Sequence, residues 1–328
     1  MKVLVYIGWA VRAWQIPKHH VGRLRERFPE ITFIHAENET EALRGIEDAD
    51  IAFSSRLTPP MVERARRLLW VHSSAAAVEG LLPLADLAKR GILVSNSKGI
   101  QAIPIAEQVL GGLLVLARHL DLTITAQREK RWIQAQLCDT DWPWMLHGRR
   151  MTILGLGTIG IEVARRANAF GMRVTGVRKH PDQPSPSFVD RVLGPDRLAE
   201  ALSGCDILVI CSPFVAATNR LIGAEEINRL NNGAILVNVA RGQIVDEAAM
   251  IGALQSRKLG GAVLDVFDAE PLEQSSPLWS LPNVVISPHS SGFRLSHWDE
   301  VTDLFTENLK RYQRGGSVLN VVDCAAGY

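Results

Sequence analysis

The sequence predicts an α/β protein with two doubly wound parallel sheets, and three observations carry the prediction. The chain has 328 residues, which at about 150 residues per domain allows roughly two domains. Short apolar runs alternate with amphipathic stretches along it, the rhythm of β-α-β units whose helices cover both faces of a parallel sheet. In the middle of the chain a glycine-rich turn, Gly155-Leu156-Gly157-Thr158-Ile159-Gly160, separates an apolar run from a helical pattern.

Composition narrows the function classes. Apolar residues make up 47% and charged residues 22%, so the chain has the apolar surface to fold and is not disordered. The longest apolar helical stretch, Leu110–Ala117, is far short of the ~18 residues a bilayer span needs, and no membrane partner is expected. Lys and Arg number 36 against 35 Asp and Glu, so no global bias toward nucleic acid exists. Cys138, Cys205, Cys211 and Cys324 form no CxxC and no His-rich spacing. No metal site is expected, and reduced thiols fit a cytoplasmic location.

In the first hundred residues, strands are expected at Val3–Ile7, Thr32–Ile34, Ile51–Phe53, Leu69–His72 and Ile92–Ser95. Lys2–Ile7 is a first strand, not a signal peptide, because no small-residue cleavage site follows and Arg12 interrupts early. Helical patterns lie at His19–Phe28 and Thr40–Ile46, and Pro59 suits the first turn of a helix running through Ala65. Ile103–Leu120 is the longest apolar helix pattern, with Pro104 in its first turn, and so apolar a helix is expected to be buried between domains. Gln127–His147 carries Trp132, Trp142 and Trp144 with weak periodicity. Those tryptophans either cap their own domain or belong to a surface covered in the assembly. A second β-α-β series follows, with strands at Met151–Leu154, Arg173–Val177, Ile207–Cys211, Ile235–Asn238, Gly261–Asp265 and Val284–Ser287. Pro181–Ser187 reads as a loop, and a last helix runs from about Arg294 to Arg314, stopped by Gly315-Gly316.

The glycine turn has the spacing G-x-G-x-x-G and follows the apolar run Met151–Leu154. In that context it is a Rossmann-type dinucleotide turn. Gly155 permits the tight turn, Gly157 lets backbone amides approach a pyrophosphate, and Gly160 lets helix and strand pack closely. The helix N-terminus at Thr158 and Ile159 favours the bound anion. After the second strand the chain reads Val177-Arg178-Lys179-His180, with no acid before Asp182. An NAD site places Asp or Glu there; two cations instead attract a 2′-phosphate, so NADP is expected, with NAD possible if Arg178 and Lys179 are only solvated loop charges.

Three further segments carry a resemblance. They are Asn238-Val239-Ala240-Arg241-Gly242, Leu264-Asp265-Val266-Phe267-Asp268-Ala269-Glu270-Pro271-Leu272 and Ser287-Pro288-His289-Ser290-Ser291-Gly292. With the glycine turn, and in this order from about Ile51 to Asp323, they resemble the D-isomer-specific 2-hydroxyacid dehydrogenases, in particular glyoxylate/hydroxypyruvate reductase-like members. The residue chemistry points the same way. Arg241 offers a planar fork that can bind a carboxylate and polarise the adjacent carbonyl. His289 is an imidazole that can give a proton to a developing alkoxide near neutral pH. Glu270 can orient that imidazole and stabilise its charged form.

The resemblance implies further roles. Asp265 matches the family acid near the nicotinamide carboxamide, or it is a structural strand-end carboxylate. Ser212 and Pro213 match a loop beside the cofactor, or form an ordinary β-α turn. The family usually has Gly-Ala-Gly-Val where this chain has Ala75-Ala76-Ala77-Val78, in a loop whose amides bind the substrate carboxylate. Ser74, Ala75, Ala76 and Ala77 are the matching candidates, with Ser73 adding a further hydroxyl. Alanine restricts positive φ, so either the loop has changed shape or it never needed that conformation. The resemblance also implies a discontinuous substrate domain (1–99 and 292–328) and a dinucleotide-binding domain (100–291), with an active-site cleft between them. A homodimer formed through the cofactor domain would account for the tryptophans.

The expected activity is hydride transfer between NADP(H) and a small 2-keto acid or D-2-hydroxy acid such as glyoxylate or hydroxypyruvate. Formate oxidation on this scaffold is disfavoured, because that branch carries Gln where this chain has Glu270. A phosphorylated hydroxy acid is an alternative substrate. A dinucleotide-sensing module of the corepressor type is an alternative class, and turnover with simple keto acids distinguishes it.

Overall fold

The computed structural model describes residues 1–80, 82–139 and 144–327. The chain divides into two units, residues 1–101 with 294–328 and residues 102–293. Unit 1 begins β1 (Lys2–Val5), α1 (Lys18–Arg27), β2 (Thr32–His35), α2 (Glu39–Gly45) and β3 (Ile51–Phe53). It continues α3 (Pro59–Arg64), β4 (Trp70–His72), α4 (Leu84–Lys89) and β5 (Leu93–Ser95). Its parallel sheet has the order β2-β1-β3-β4-β5. The central strands are buried on both faces, which is why they read as continuous apolar runs.

Unit 2 opens with α5 (Ala102–Arg118), α6 (Leu120–Arg128) and α7 (Gln134–Cys138). Then come β6 (Arg150–Leu154), α8 (Thr158–Ala169), β7 (Arg173–Val177), β8 (Arg191–Leu193), α9 (Leu198–Leu202) and β9 (Ile207–Ile210). The unit closes with α10 (Ala224–Arg229), β10 (Ala234–Asn238), α11 (Glu247–Gln255), β11 (Leu259–Leu264) and β12 (Val284–Ile286). Its parallel sheet has the order β12-β11-β10-β9-β6-β7-β8. The last helix, α12 (His297–Gln313), returns to unit 1 and stacks Phe305 on Phe53 with ring centroids 4.2 Å apart. Gly315 ends it in the left-handed region at φ 68°, and the Gly316 N–H reaches back to the Arg311 carbonyl at 2.9 Å.

The apolar helix α5 packs its buried face within unit 2's own core, beside β6 and α8. Gly112 makes this possible, since a Cβ there would collide with Val263 of β11. Strand β8 was not expected: it is an edge strand paired only with β7, and its apolar run is just Val192-Leu193, between Arg191 and Gly194-Pro195. Finally, α5 breaks at His119 (φ 50°), and α6 continues at 71° to it. No single helix among the described residues is long and apolar enough to cross a membrane.

The tryptophan-bearing segment divides. Trp132 is 88% exposed. Trp144 is partly buried against the core of unit 2, with the Arg149 guanidinium 5.5 Å from its ring centroid. Trp142 lies outside the described residues.

Candidate active site

The glycine turn lies at the carboxyl end of β6, a central strand, where an open parallel sheet presents ligand sites. Gly155 adopts φ 98°, and a Cβ on it would collide with the backbone of Cys211 and Ser212. A Cβ on Gly160 would strike the Gly155 carbonyl. Gly157 is different: it is exposed, and a Cβ there meets no protein atom within 4 Å. It caps the N-terminus of α8, beside Thr158 and Ile159, with no side chain capping the helix. Gly155 and Gly160 thus serve packing, while Gly157 keeps open space in front of a helix N-terminus.

Around this turn, Ser212 is buried and its hydroxyl has no hydrogen-bond partner among the described residues. Pro213 is exposed, and its carbonyl accepts from Thr218 Oγ1 at 3.0 Å. At the end of β7, Arg178 Nη2 donates to the carbonyls of Gln183 and Pro184, the latter at 3.2 Å. The loop 181–187 thus pins the guanidinium through one nitrogen, while Lys179 beside it is exposed.

The second cluster forms where β10, β11 and β12 end. Asn238, the last residue of β10, turns the chain: its Nδ2 donates to the Arg241 carbonyl at 2.9 Å, and its Oδ1 accepts from the Ala240 N–H at 3.1 Å. Arg241 follows in extended conformation, with Nη1 on the Ala240 carbonyl at 2.6 Å. A Cβ on Gly242 would overlap the Phe267 backbone, so only glycine lets the Arg241 turn lie against the turn after β11. Gln243 Nε2 donates to the Asp268 carbonyl at 2.7 Å and fastens the two turns.

Glu270 lies in that second turn, with Oε1 accepting from the Phe267 N–H at 3.1 Å and Oε2 lying 2.7 Å from His289 Nδ1. Burial acts to raise the Glu270 carboxyl. The His289 hydrogen bond and charge, the Phe267 N–H and the Arg241 charge together outweigh it, and Glu270 is held below its usual range. The pair is therefore a carboxylate and an imidazole, with side chains 35% and 49% exposed respectively. His289 sits at φ 49°, a left-handed conformation that costs a non-glycine residue about 1–3 kcal/mol and persists only where its surroundings impose it. The structure thus brings Arg241, Glu270 and His289 together within unit 2.

Asp265 is 1% exposed, and its carboxylate accepts from Ser287 Oγ at 2.5 Å, from the Ser290 and Ser291 N–H groups, and from Ser291 Oγ. The three serines stand in the motif around His289, yet nothing in their residue type marked them as partners of Asp265. Asn238 went unassigned for the same reason.

In unit 1, the loop after β4 carries Ser74, Ala75, Ala76 and Ala77. None of the alanines lies in the left-handed region, so alanine is accommodated without strain where the family has glycine. The loop is fixed through its carbonyls. Ser97 Oγ donates to Ser73 O (2.9 Å), Ser97 N to Ala75 O (3.2 Å) and Asn96 Nδ2 to Ala76 O (2.6 Å). Beneath it, Trp70 Nε1 donates to Ser95 Oγ at 2.9 Å, and Ser95 Oγ lies 2.7 Å from His72 Nδ1. Burial lowers the His72 pKa to about 3, so this ring is neutral and structural. Among the described residues, no group of three or more His, Cys, Asp or Glu could hold a metal ion.

The chain is similar to several known proteins. Residues 110–291 match the family model described as D-isomer specific 2-hydroxyacid dehydrogenase, NAD binding domain. Glyoxylate reductase from Korarchaeum cryptofilum is 30% identical over 318 residues, covering 94% of this chain and 94% of that protein. D-3-phosphoglycerate dehydrogenase from Methanocaldococcus jannaschii is 28% identical over 92% of this chain, but the match spans only 57% of that relative's length. Among solved structures, an NADPH-dependent glyoxylate/hydroxypyruvate reductase from Sinorhizobium meliloti, in complex with NADP and malonate, gives a TM-score of 0.80. It is 28% identical, and the match covers 99% of this chain and 97% of that one. The chain accordingly belongs to the D-isomer specific 2-hydroxyacid dehydrogenase family and is an oxidoreductase.

Proposed function

We propose that the protein reduces a small 2-keto acid to the D-2-hydroxy acid, with NADP(H) as the hydride partner. The observation that carries this reading is the 2.7 Å contact between His289 Nδ1 and Glu270 Oε2 in the field of Arg241. Arg241 binds the substrate carboxylate and draws electron density from the neighbouring carbonyl oxygen. His289 delivers a proton to that oxygen as negative charge develops on it. Glu270 holds the imidazole through Nδ1 and favours its charged form, which leaves Nε2 to carry the transferable proton.

The unit 2 residues fit a dinucleotide. Gly157 leaves space before an uncapped helix N-terminus, and the buried, unpartnered Ser212 hydroxyl lies beside the turn. Amides at Thr158 and Ile159 would hold the pyrophosphate. Arg178, pinned by its loop, and Lys179 would hold the 2′-phosphate. When bound, the nicotinamide supplies the hydride. Support for NADP over NAD also comes from the Sinorhizobium meliloti reductase, whose complex contains NADP.

In this reading unit 1 is the substrate domain, and its loop offers the substrate the main-chain N–H groups of Ser74, Ala76 and Ala77, while the Ala75 N–H donates to Ser73 Oγ at 3.2 Å. Unit 2 is the dinucleotide domain. The enzyme works in the cytoplasm as a homodimer, with the exposed Leu120, Leu122, Ile124 and Trp132 at the subunit contact.

The test is a steady-state panel of glyoxylate, hydroxypyruvate, pyruvate and 3-phosphohydroxypyruvate with NADPH and with NADH. Turnover of the unphosphorylated acids with NADPH is expected. Preference for the phosphorylated acid would move the substrate class, and no turnover of any keto acid would overturn the reading.

A further inference from the structure

We propose that Asp265 and the serines around it are positioning residues for His289: the carboxylate clamps the segment Ser287–Ser291 and thereby imposes the left-handed turn that aims the imidazole. This inference rests on the assignment of His289 as proton donor. It assigns work to Ser287, Ser290 and Ser291.

The serine segment saturates the Asp265 carboxylate. Asp265 Oδ1 accepts from Ser287 Oγ at 2.5 Å, Ser290 N at 3.1 Å and Ser291 N at 3.2 Å. Oδ2 accepts from Ser291 N at 3.2 Å and from Ser291 Oγ. A carboxylate has about four lone-pair sites, and these donors fill them. Asp265 is almost completely buried, so these bonds are shielded from competing water.

The donors flank His289 on both sides. Ser287 lies two residues before it, and Ser290 and Ser291 directly follow. The main chain completes the hold, because the His289 N–H donates to the Asp265 carbonyl at 2.9 Å. Residue 265 therefore binds the histidine segment through both backbone and side chain. A histidine at φ 49° does not keep that conformation unaided. Charge-assisted bonds from both flanks supply the constraint, and they leave Nδ1 facing Glu270.

The alternatives separate by what fails. If Asp265 positions His289, loss of one serine hydroxyl misaims the proton donor and lowers kcat, while cofactor affinity holds. If the clamp does not set the imidazole, loss of a serine hydroxyl leaves kcat intact. The experiment measures kcat with saturating glyoxylate and NADPH, and the NADPH Kd by fluorescence titration. The proteins are wild type, Ser287→Ala, Ser291→Ala and Ser287→Thr, with His289→Asn as control. Expected are a fall of about 10- to 100-fold in kcat for the alanine variants, the scale of a misplaced catalytic group, with NADPH Kd within about twofold of wild type. Ser287→Thr keeps the hydroxyl and should recover most of what Ser287→Ala loses. The inference is overturned by unchanged kcat in both alanine variants, by a loss confined to NADPH affinity, or by Ser287→Thr as impaired as Ser287→Ala. Full activity in His289→Asn would instead remove the histidine assignment itself, so the two failures are distinguishable.

Discussion

Glu270→Gln isolates one charge at constant shape. Glutamine can still accept from the Phe267 N–H, the 3.1 Å bond that holds this side chain, but it removes the anion 2.7 Å from His289 Nδ1. Two unit charges about 4 Å apart interact by roughly 1 kcal/mol in water and roughly 4 kcal/mol at an effective dielectric of 20. With the two side chains 35% and 49% exposed, solvent screening places the pair toward the lower figure, about 1–2 kcal/mol. The sign of the effect follows from the chemistry. Reduction needs a protonated imidazole, and the carboxylate favours the protonated form. Glu270 is held below the usual carboxylate range, so it stays ionised throughout the neutral region. Removing its charge should move the alkaline limb of keto-acid reduction to lower pH, and at a fixed pH on that limb a loss of about 1–2 kcal/mol lowers the rate roughly 5- to 30-fold. The assay is kcat/KM for glyoxylate with NADPH from pH 5 to 9.5. An unmoved limb, or one moved to higher pH, would refute the coupling of Glu270 to the proton donor.

Four further outcomes are expected. Wild type should prefer NADPH over NADH by at least about tenfold in kcat/KM, the value of one charge-assisted bond, and Arg178→Asp should reverse that preference. Equal use of both cofactors by wild type would remove the 2′-phosphate role. Gly157→Ala should weaken NADPH binding at least about tenfold with little change in Tm, because its Cβ meets only open space, whereas Gly160→Ala should lower Tm through its collision with Gly155. His72 is neutral when folded, its pKa lowered to about 3 from an ordinary value of 6.5; the unfolded chain binds the extra proton between those values, so stability is lost as pH falls through that window. His72→Gln should remove about 2 kcal/mol of the decline between pH 7 and pH 5 in urea unfolding. Trp132→Lys should shift the protein toward monomer in sedimentation velocity; an unchanged sedimentation coefficient would place the subunit contact elsewhere.

Much of this architecture is legible in the sequence because period and punctuation agree. The buried strand Ile207–Ile210 and residues 234–237 of β10 stand out as unbroken apolar runs, and the glycine turn falls where a strand yields to a helix. What escaped has physical causes. Strand β8 has an apolar run of only Val192-Leu193, set between Arg191 and Gly194-Pro195, so no pattern distinguishes it from loop. Helix α5 is apolar because a parallel sheet and α8 cover it within one unit, and periodicity reports burial without saying what does the burying. At the candidate site, Arg241, Glu270 and His289 stood out through the family resemblance, with their side-chain chemistry pointing the same way. The residues that hold them could not. Asn238 and Ser291 act through hydrogen bonds that exist only after three strand ends are brought together. The Ala75–Ala77 loop shows the converse: an apparent departure from the family carries no strain, because φ there never enters the left-handed region.

Selection by Arg241 of a carboxylate next to a reducible carbonyl lies at the heart of the proposed reaction, and comparing glyoxylate with its methyl ester probes it without intermediaries. The ester keeps the carbonyl and loses the charge. Two charge-assisted bonds at about 1.5–3 kcal/mol each give roughly 10²- to 10⁴-fold discrimination in kcat/KM. Wild type with NADPH should show that preference for the acid, and Arg241→Ala should lose it chiefly by failing on glyoxylate. Equal turnover of acid and ester by wild type, or full discrimination retained in Arg241→Ala, would remove Arg241 from the role of carboxylate anchor.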